Sequence, residues 1–214
     1  MLRLVVLSIC LCTICWSAPD WQADYQQALA HGVARRLLVG YPDMTFRPTQ
    51  AATRYEGAAV FSRLVWYYDL ELPEPALLAP DVPWDHWCAD ACRVMHASRL
   101  APEPKGVRYA GDELLTRGEF ALVEWNLVQV LGKDRPLKHL SDVDDPYGQA
   151  AKALVEMGLL TTYPDGGLYL AKPMPRWQIC IAVHKLLVWV GRDGGPLLWG
   201  PVMYVPNAGG RRPE

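Results

Sequence analysis

The feature that most constrains this chain of 214 residues is that it repeats itself. An aspartate, a helix-forming stretch, a turn-rich loop and an arginine at a second helix start recur three times. Asp20 to Arg54 is 34 residues, Asp81 to Arg117 is 36, and Asp142 to Arg176 is 34. Similar tetrapeptides precede each first helix: Ala18-Pro-Asp-Trp, Ala79-Pro-Asp-Val and Leu140-Ser-Asp-Val. The second helices start at Thr53-Arg-Tyr-Glu, Thr116-Arg-Gly-Glu and Pro175-Arg-Trp-Gln, with each arginine 11 residues beyond Asp43, Gly106 or Asp165. A period of this size marks an array of supersecondary units. Apolar positions agree at helical spacing: Val60, Leu64 and Tyr67 align with Val123, Leu127 and Val130, and with Ala182, Leu186 and Trp189. In the first helices, Tyr25, Leu29 and Val33 align with Cys88, Cys92 and His96, and with Tyr147, Ala151 and Val155. One helix-loop-helix hairpin cannot bury its own stripe, so the pattern predicts an all-α fold in which three hairpins pack together.

The stretch from Gly40 to Glu56 is the clearest copy of the unit. Gly40, Pro42 and Asp43 punctuate a loop, Phe46 supplies an apolar anchor and Pro48 a bend. Thr53 and Glu56 form a capping box, each satisfying one unpaired backbone N–H at the helix start. Arg54, a cation in the first turn, opposes the helix dipole, which predicts an anion, internal or foreign, held nearby.

These loops and caps resemble S-layer homology (SLH) motifs. The resemblance rests on the Asp-Val openings, on Gly40-Tyr-Pro-Asp-Met-Thr-Phe-Arg-Pro, on Tyr163-Pro-Asp-Gly, and on the Thr-Arg-x-Glu helix starts. The second copy departs at Glu103-Pro-Lys-Gly, and the third carries Pro175 for threonine and Gln178 for glutamate. The resemblance implies a pseudo-threefold bundle, with repeats over 18–78, 79–137 and 138–191 and glycan grooves between them. The implied ligand is an anionic, often pyruvate-bearing, wall polysaccharide, bound by a non-catalytic protein of the cell surface.

A guanidinium grips a planar carboxylate through two parallel hydrogen bonds, so Arg54, Arg117 and Arg176 are the candidate ligand residues. Asp43 and Asp165 are candidates for shaping the loops or meeting sugar hydroxyls, and Trp177, in the same turn as Arg176, for stacking on a sugar face. The competing reading is that each arginine pairs with a nearby carboxylate and only braces its loop. The Arg54 groove, next to the best-matched loop, is expected to be the best preserved. A module that keeps its packing while losing glycan affinity, and serves instead as a structural or protein-interaction subunit, is the alternative function.

Composition narrows the classes further. The formal charge is −2 with no long basic run, which argues against a nucleic-acid partner. Met-Leu-Arg followed by apolar Leu4 to Ile14 reads as a signal peptide over 1–17, and no later apolar run has membrane-spanning length. Removing it leaves Cys88, Cys92 and Cys180, an odd number expected to be free and buried. His86, Cys88, Cys92 and His96 suggest zinc only until the other copies are aligned, where the helical stripe is apolar, so no metal or cofactor is expected. Neither a nucleophile signature nor a phosphate loop is present, and Asp112-Glu113 and Asp144-Asp145 fall in turns. Pro-rich 68–80 and charged 132–139 read as connectors; the Gly/Pro-rich tail 192–214, with an apolar island from Leu197 to Val205, is a candidate strap or a contact for an envelope protein.

Overall fold

The computed structural model describes residues 21–72, 78–98, 100, 108–132 and 145–192. Its helices are α1 (Trp21–Ala34), α2 (Arg54–Tyr67), α3 (Ala89–Ala97), α4 (Arg117–Leu131), α5 (Pro146–Glu156) and α6 (Arg176–Arg192). The fold is all-α, with only isolated bridges between extended residues among those described. The signal segment, the Glu103 stretch, the 133–144 connector and the tail lie outside the described residues.

Local chemistry starts the second helices where the sequence predicts. Thr53 accepts from the Glu56 N–H while Glu56 accepts from the Thr53 N–H, and Thr116 and Glu119 repeat the arrangement. Pro175 cannot donate this way, yet it precedes α6 without harm because a helix start leaves N–H groups unpaired in any case.

What holds the three starts together is a closed circuit of backbone bonds. Ala52 N–H donates to Met174 O at 2.9 Å, Met174 N–H to Leu115 O at 2.8 Å, and Leu115 N–H to Ala52 O at 2.9 Å. Each of these residues stands two before its hairpin's arginine. One turn further out, Arg54, Arg117 and Arg176 donate their N–H groups to Glu113, Lys172 and Gln50, each at 2.9 Å. Antiparallel bridges Ala51–Pro175, Thr53–Leu114 and Thr116–Pro173 follow the same order. The ring satisfies extended backbone at the heart of the molecule, where unpaired groups would be costly.

Helix packing is cyclic as well. Each first helix packs on the second helix of another hairpin: α3 on α2, α5 on α4, and α1 on α6. The sequentially last helix thus receives the first. Phe61 of α2 meets Phe120 of α4 at 5.2 Å between ring centres. Val60, Leu64, Val123, Leu127, Ala182 and Leu186 are buried as their stripe requires, and Cys88, Cys92 and Cys180 are buried free thiols. Two expectations for the core are corrected. Val33 near the end of α1 and Tyr147 in the first turn of α5 reach past the packed face.

Loop geometry recurs too. Arg47, Ala110 and Tyr169, each seven residues before the arginine, have φ of 52, 51 and 48°. Met44 and Gly166, ten residues before it, have φ of 63 and 80°. Met44 carries a side chain in a conformation that disfavours one, and that side chain is 95% exposed, so packing returns nothing. Replacing Met44 by Gly is expected to raise stability by about 0.5 kcal/mol after the glycine's extra unfolded-state entropy, whereas Gly166→Ala lowers it by about 1 kcal/mol. A Cβ at Gly166 would touch nothing, so thermal unfolding of the two variants isolates the backbone term.

Candidate functional site

The loop from Val39 to Gln50 is organised around Tyr41. Its N–H donates to Thr45 O at 2.8 Å and its carbonyl accepts from Met44 N–H at 2.9 Å. Asp43 pins the turn by accepting from the Thr45 N–H at 3.0 Å and the Thr45 hydroxyl at 2.6 Å, and from Arg47 at 2.8 Å. The Thr45 hydroxyl, then Arg47, hold the Asp43 carboxyl well below the usual carboxylate range. Asp43 therefore braces the turn through its own near neighbours. The Arg47 guanidinium lies 4.0 Å over the Tyr41 ring. The phenol donates to Glu56 at 2.5 Å and accepts from Gln50 at 3.1 Å. Burial first, and the Glu56 bond second, push the phenol's pKa up, so it stays a donor.

Arg176 completes this loop from the far end of the chain. Its Nε donates to Phe46 O at 2.9 Å, one terminal nitrogen to Glu56 at 2.8 Å, and the other to Val39 O at 3.1 Å. Its guanidinium sits 4.7 Å from the Tyr41 ring centre and 4.5 Å from that of Phe46. Trp177, partly buried against the core, donates its backbone N–H to Pro48 O at 2.9 Å. Here the sequence reading is corrected. It paired the best-matched loop with Arg54 of the same hairpin, but cyclic closure pairs it with Arg176 of the third.

The other two arginines obey the same rule. Arg54 donates to Tyr109 O at 2.8 Å and to Glu119 at 2.5 Å, both in the second hairpin. Arg117 donates to Gln178 at 2.9 Å and to Thr161 O, both in the third. The anion predicted beside Arg54 is thus internal, and it is the capping-box carboxylate of the next unit. One carboxylate caps a helix with one oxygen and receives a foreign arginine with the other: Glu119 through Oε2 and Oε1, Glu56 likewise. The forks turn inward rather than toward solvent: Arg117 is 2% exposed, and Arg176 9%.

The third loop copies the first with altered chemistry. Tyr163 takes the place of Tyr41, and Asp165 accepts from the Gly167 N–H at 2.9 Å and from the Tyr169 hydroxyl. The Tyr169 hydroxyl and then the Gly167 N–H lower the Asp165 pKa. Where the first loop has Arg47, this one has Tyr169, and Lys172 supplies the cation at 3.8 Å from the Tyr169 ring and 4.8 Å from the Tyr163 ring.

Sequence reasoning passed over two residues. Glu124 aligns with Phe61 and Val183, at a position that is apolar in the other copies, and is 1% exposed. Its Oε2 has no hydrogen-bond partner among the described residues, nor does Arg117 Nε. Burial pushes the Glu124 pKa up to about 8, against the opposing pull of Lys185 and Arg117. Lys185, half-buried on α6, has its own pKa lowered by burial. The misfit of a carboxylate on an apolar stripe was the available signal.

With these loops in place the comparisons with known proteins acquire a location. Residues 20–56 match the S-layer homology domain. The match runs from the start of α1 through the Tyr41 loop and ends at Glu56, 120 residues before the arginine that closes that loop. Over 184 residues the chain is 26% identical to Cell surface glycoprotein 1 of Acetivibrio thermocellus, covering 81% of this chain and 8% of that protein. Over 148 residues it is 27% identical to Cellulosome-anchoring protein of the same organism, covering 66% and 33%. Over 48 residues it is 46% identical to Outer membrane protein SlpA of Deinococcus radiodurans, covering 22% and 4%. The chain therefore spans a third or less of each relative's length. No helix among the described residues is long and apolar enough to cross a membrane, and none of their His, Cys, Asp and Glu side chains gather in threes to hold a metal.

Proposed function

We propose that the chain is a non-catalytic protein of the cell surface or envelope, that its three hairpins are three SLH repeats, and that it binds an anionic, pyruvate-bearing wall polysaccharide between them. The observation that carries this reading is the Tyr41 loop. The SLH-matched loop is closed by Arg176 into a braced surface that presents a phenol ring, the exposed Arg47–Asp43 pair and Gln50. Such a set offers an aromatic edge, hydroxyl-seeking polar groups and a guanidinium with unused N–H groups, which suits a sugar bearing a carboxylate. The relatives' names, a surface glycoprotein, an anchoring protein and an outer-membrane protein, support the location. Arg176, itself buried, positions the loop from beneath, and Trp177 flanks it. Arg54 and Asp165 serve the corresponding loops of the other hairpins, and Arg117 serves its own from within.

Purified wall polysaccharide should pull the full chain down on sedimentation, and removal of its pyruvate should release it. Arg47→Ala, which removes an exposed guanidinium without touching the core, should weaken retention at least about tenfold, the loss of one charge-assisted contact. Retention that ignores both changes would sink the reading.

A second reading follows from the internal arginines. A bundle whose forks all brace neighbouring loops is also what a structural or protein-interaction subunit of the envelope would keep after losing its glycan, with the tail as a contact. Indifference to wall polysaccharide, with the fold intact, supports that reading.

A further inference from the structure

The seam that closes the ring differs from the other two in its chemistry. There α1 packs on α6, and His31 and His184 face each other across it, their Nδ1 atoms 2.8 Å apart and their rings edge to face at 4.8 Å between centres. At that distance one Nδ1 donates and the other accepts, so a single proton lies between the two rings. Alignment of the hairpins gives the corresponding positions of the other seams. They hold Val94 of α3 with Ser62 of α2, and Ala153 of α5 with Trp125 of α4. None of those four side chains gains a charge near neutral pH.

Both imidazoles are half-buried, and burial first, then the Arg35 guanidinium, lowers the pKa of each below the ordinary 6.5. Arg35 itself donates to the His31 carbonyl at 3.4 Å, one turn further along α1. His184 weighs further against a charge on His31, whereas Asp24 of α1 favours one on His184 without reversing the shift. Lys185 adjoins His184 on α6, and Met157, Gly158 and Leu159, which line the cleft beside His184, bring no titratable side chain. A first added proton can enter at an outer Nε2 and leave the bond between the rings in place. A second sets N–H against N–H between two cations, and the contact cannot survive it.

We infer that the His31–His184 contact is an acid-sensitive latch, which holds α1 on α6 near neutral pH and releases it once both rings are protonated. The Tyr41 loop follows α1, and α6 begins at Arg176, which clasps that loop, so the latch joins the two elements whose alignment the clasp requires. The inference goes beyond wall binding and stands whether or not the chain takes a polysaccharide.

Because the folded pKa values lie below 6.5, the contribution of the latch is complete above that pH and is lost as pH falls through the folded values. At pH 5.5, one excluded proton favours the open seam about tenfold relative to pH 7.5. Hydrogen exchange of the full chain, corrected for the intrinsic pH dependence of amide exchange, should show protection of α1 and α6 falling by about that factor, while α2–α3 and α4–α5 keep theirs. In the His31→Gln/His184→Gln variant, which cannot take up these protons, the difference should vanish. Should that variant not fold, imidazole NMR titration of the wild type decides: the second ring to protonate should do so in step with shifts of the α1 and α6 amides. Two rings that titrate independently while those amides stay unmoved, or an equal acid loss of protection in all three seams, overturns the inference. Sedimentation with wall polysaccharide at pH 7.5 is indifferent to either outcome, so the Tyr41 reading is judged separately.

Discussion

Glu124→Gln is expected to stabilise the protein, and the gain is expected to grow with pH. The glutamate occupies a core position that Phe61 and Val183 hold in the other hairpins, and it is almost wholly screened from water. Its folded pKa of about 8 lies above the ordinary value of 4.5, because burial penalises the ionised form more than Lys185 and Arg117 favour it. Between those two pH values the folded state holds the proton that the unfolded state has released, so stability falls as pH rises. The contribution is fully present below the unfolded pKa and is lost as pH rises through the folded one. At 1.36 kcal/mol per unit, the full penalty is on the order of 3–5 kcal/mol above pH 8. Glutamine never ionises and escapes it. Urea unfolding at pH 4, 7 and 9 should show wild type and variant alike at the lowest pH and well apart at the highest. A wild-type midpoint that does not fall with pH relative to the variant would show that the carboxylate is solvated.

Arg117→Ala is expected to cost about 3 kcal/mol or more, the largest loss among the three arginines. Its guanidinium is buried and ties α4 to the third hairpin through Gln178 and the Thr161 carbonyl, so truncation strands two acceptors and leaves a cavity where the side chain was. Arg54→Ala breaks a pair whose side chains each keep 15% exposure, and water can partly replace the lost partner of Glu119. Its cost should be smaller. Chemical denaturation of the two variants side by side decides the order. An Arg117→Ala variant as stable as Arg54→Ala would mean that the buried guanidinium repays little of its own desolvation, as buried charges sometimes do.

The two predictions are linked. The third hairpin carries Gln178 where the first two carry Glu56 and Glu119, so Arg117 receives an amide rather than a carboxylate. The carboxylate that acts on Arg117 in the interior is instead Glu124, two turns along the same helix. A charge absent from the cap has a counterpart in the core. The double variant should therefore depart from additivity, since removing either group alone changes the electrostatic surroundings of the other.

Much of this architecture is written in local chemistry. Threonine and glutamate three apart set the starts of α2 and α4, because a capping box is complete within four residues. The Asp43 turn needs nothing beyond Thr45 and Arg47, and the stripes of α2, α4 and α6 announce a shared core by spacing alone. The recurrence of these signals predicts paired helices, and six helices are present among the described residues. It was also enough to place an anion beside Arg54, although at Arg117 the partner is an amide.

What only the tertiary structure decided was who partners whom. A periodic sequence states that every unit has a loop, an acid and an arginine, and is silent on whether a unit serves itself or its neighbour. Cyclic closure settles that, since α1 packs on α6 and the Ala52–Met174–Leu115 circuit joins the first hairpin to the last. Arg176 thereby reaches Glu56 across 120 residues, and the loop with the clearest motif is finished by the helix start with the weakest cap. Burial of Glu124 belongs to the same class. A charge on one helix face becomes costly only when other elements cover that face, and the covering is a property of the assembled ring.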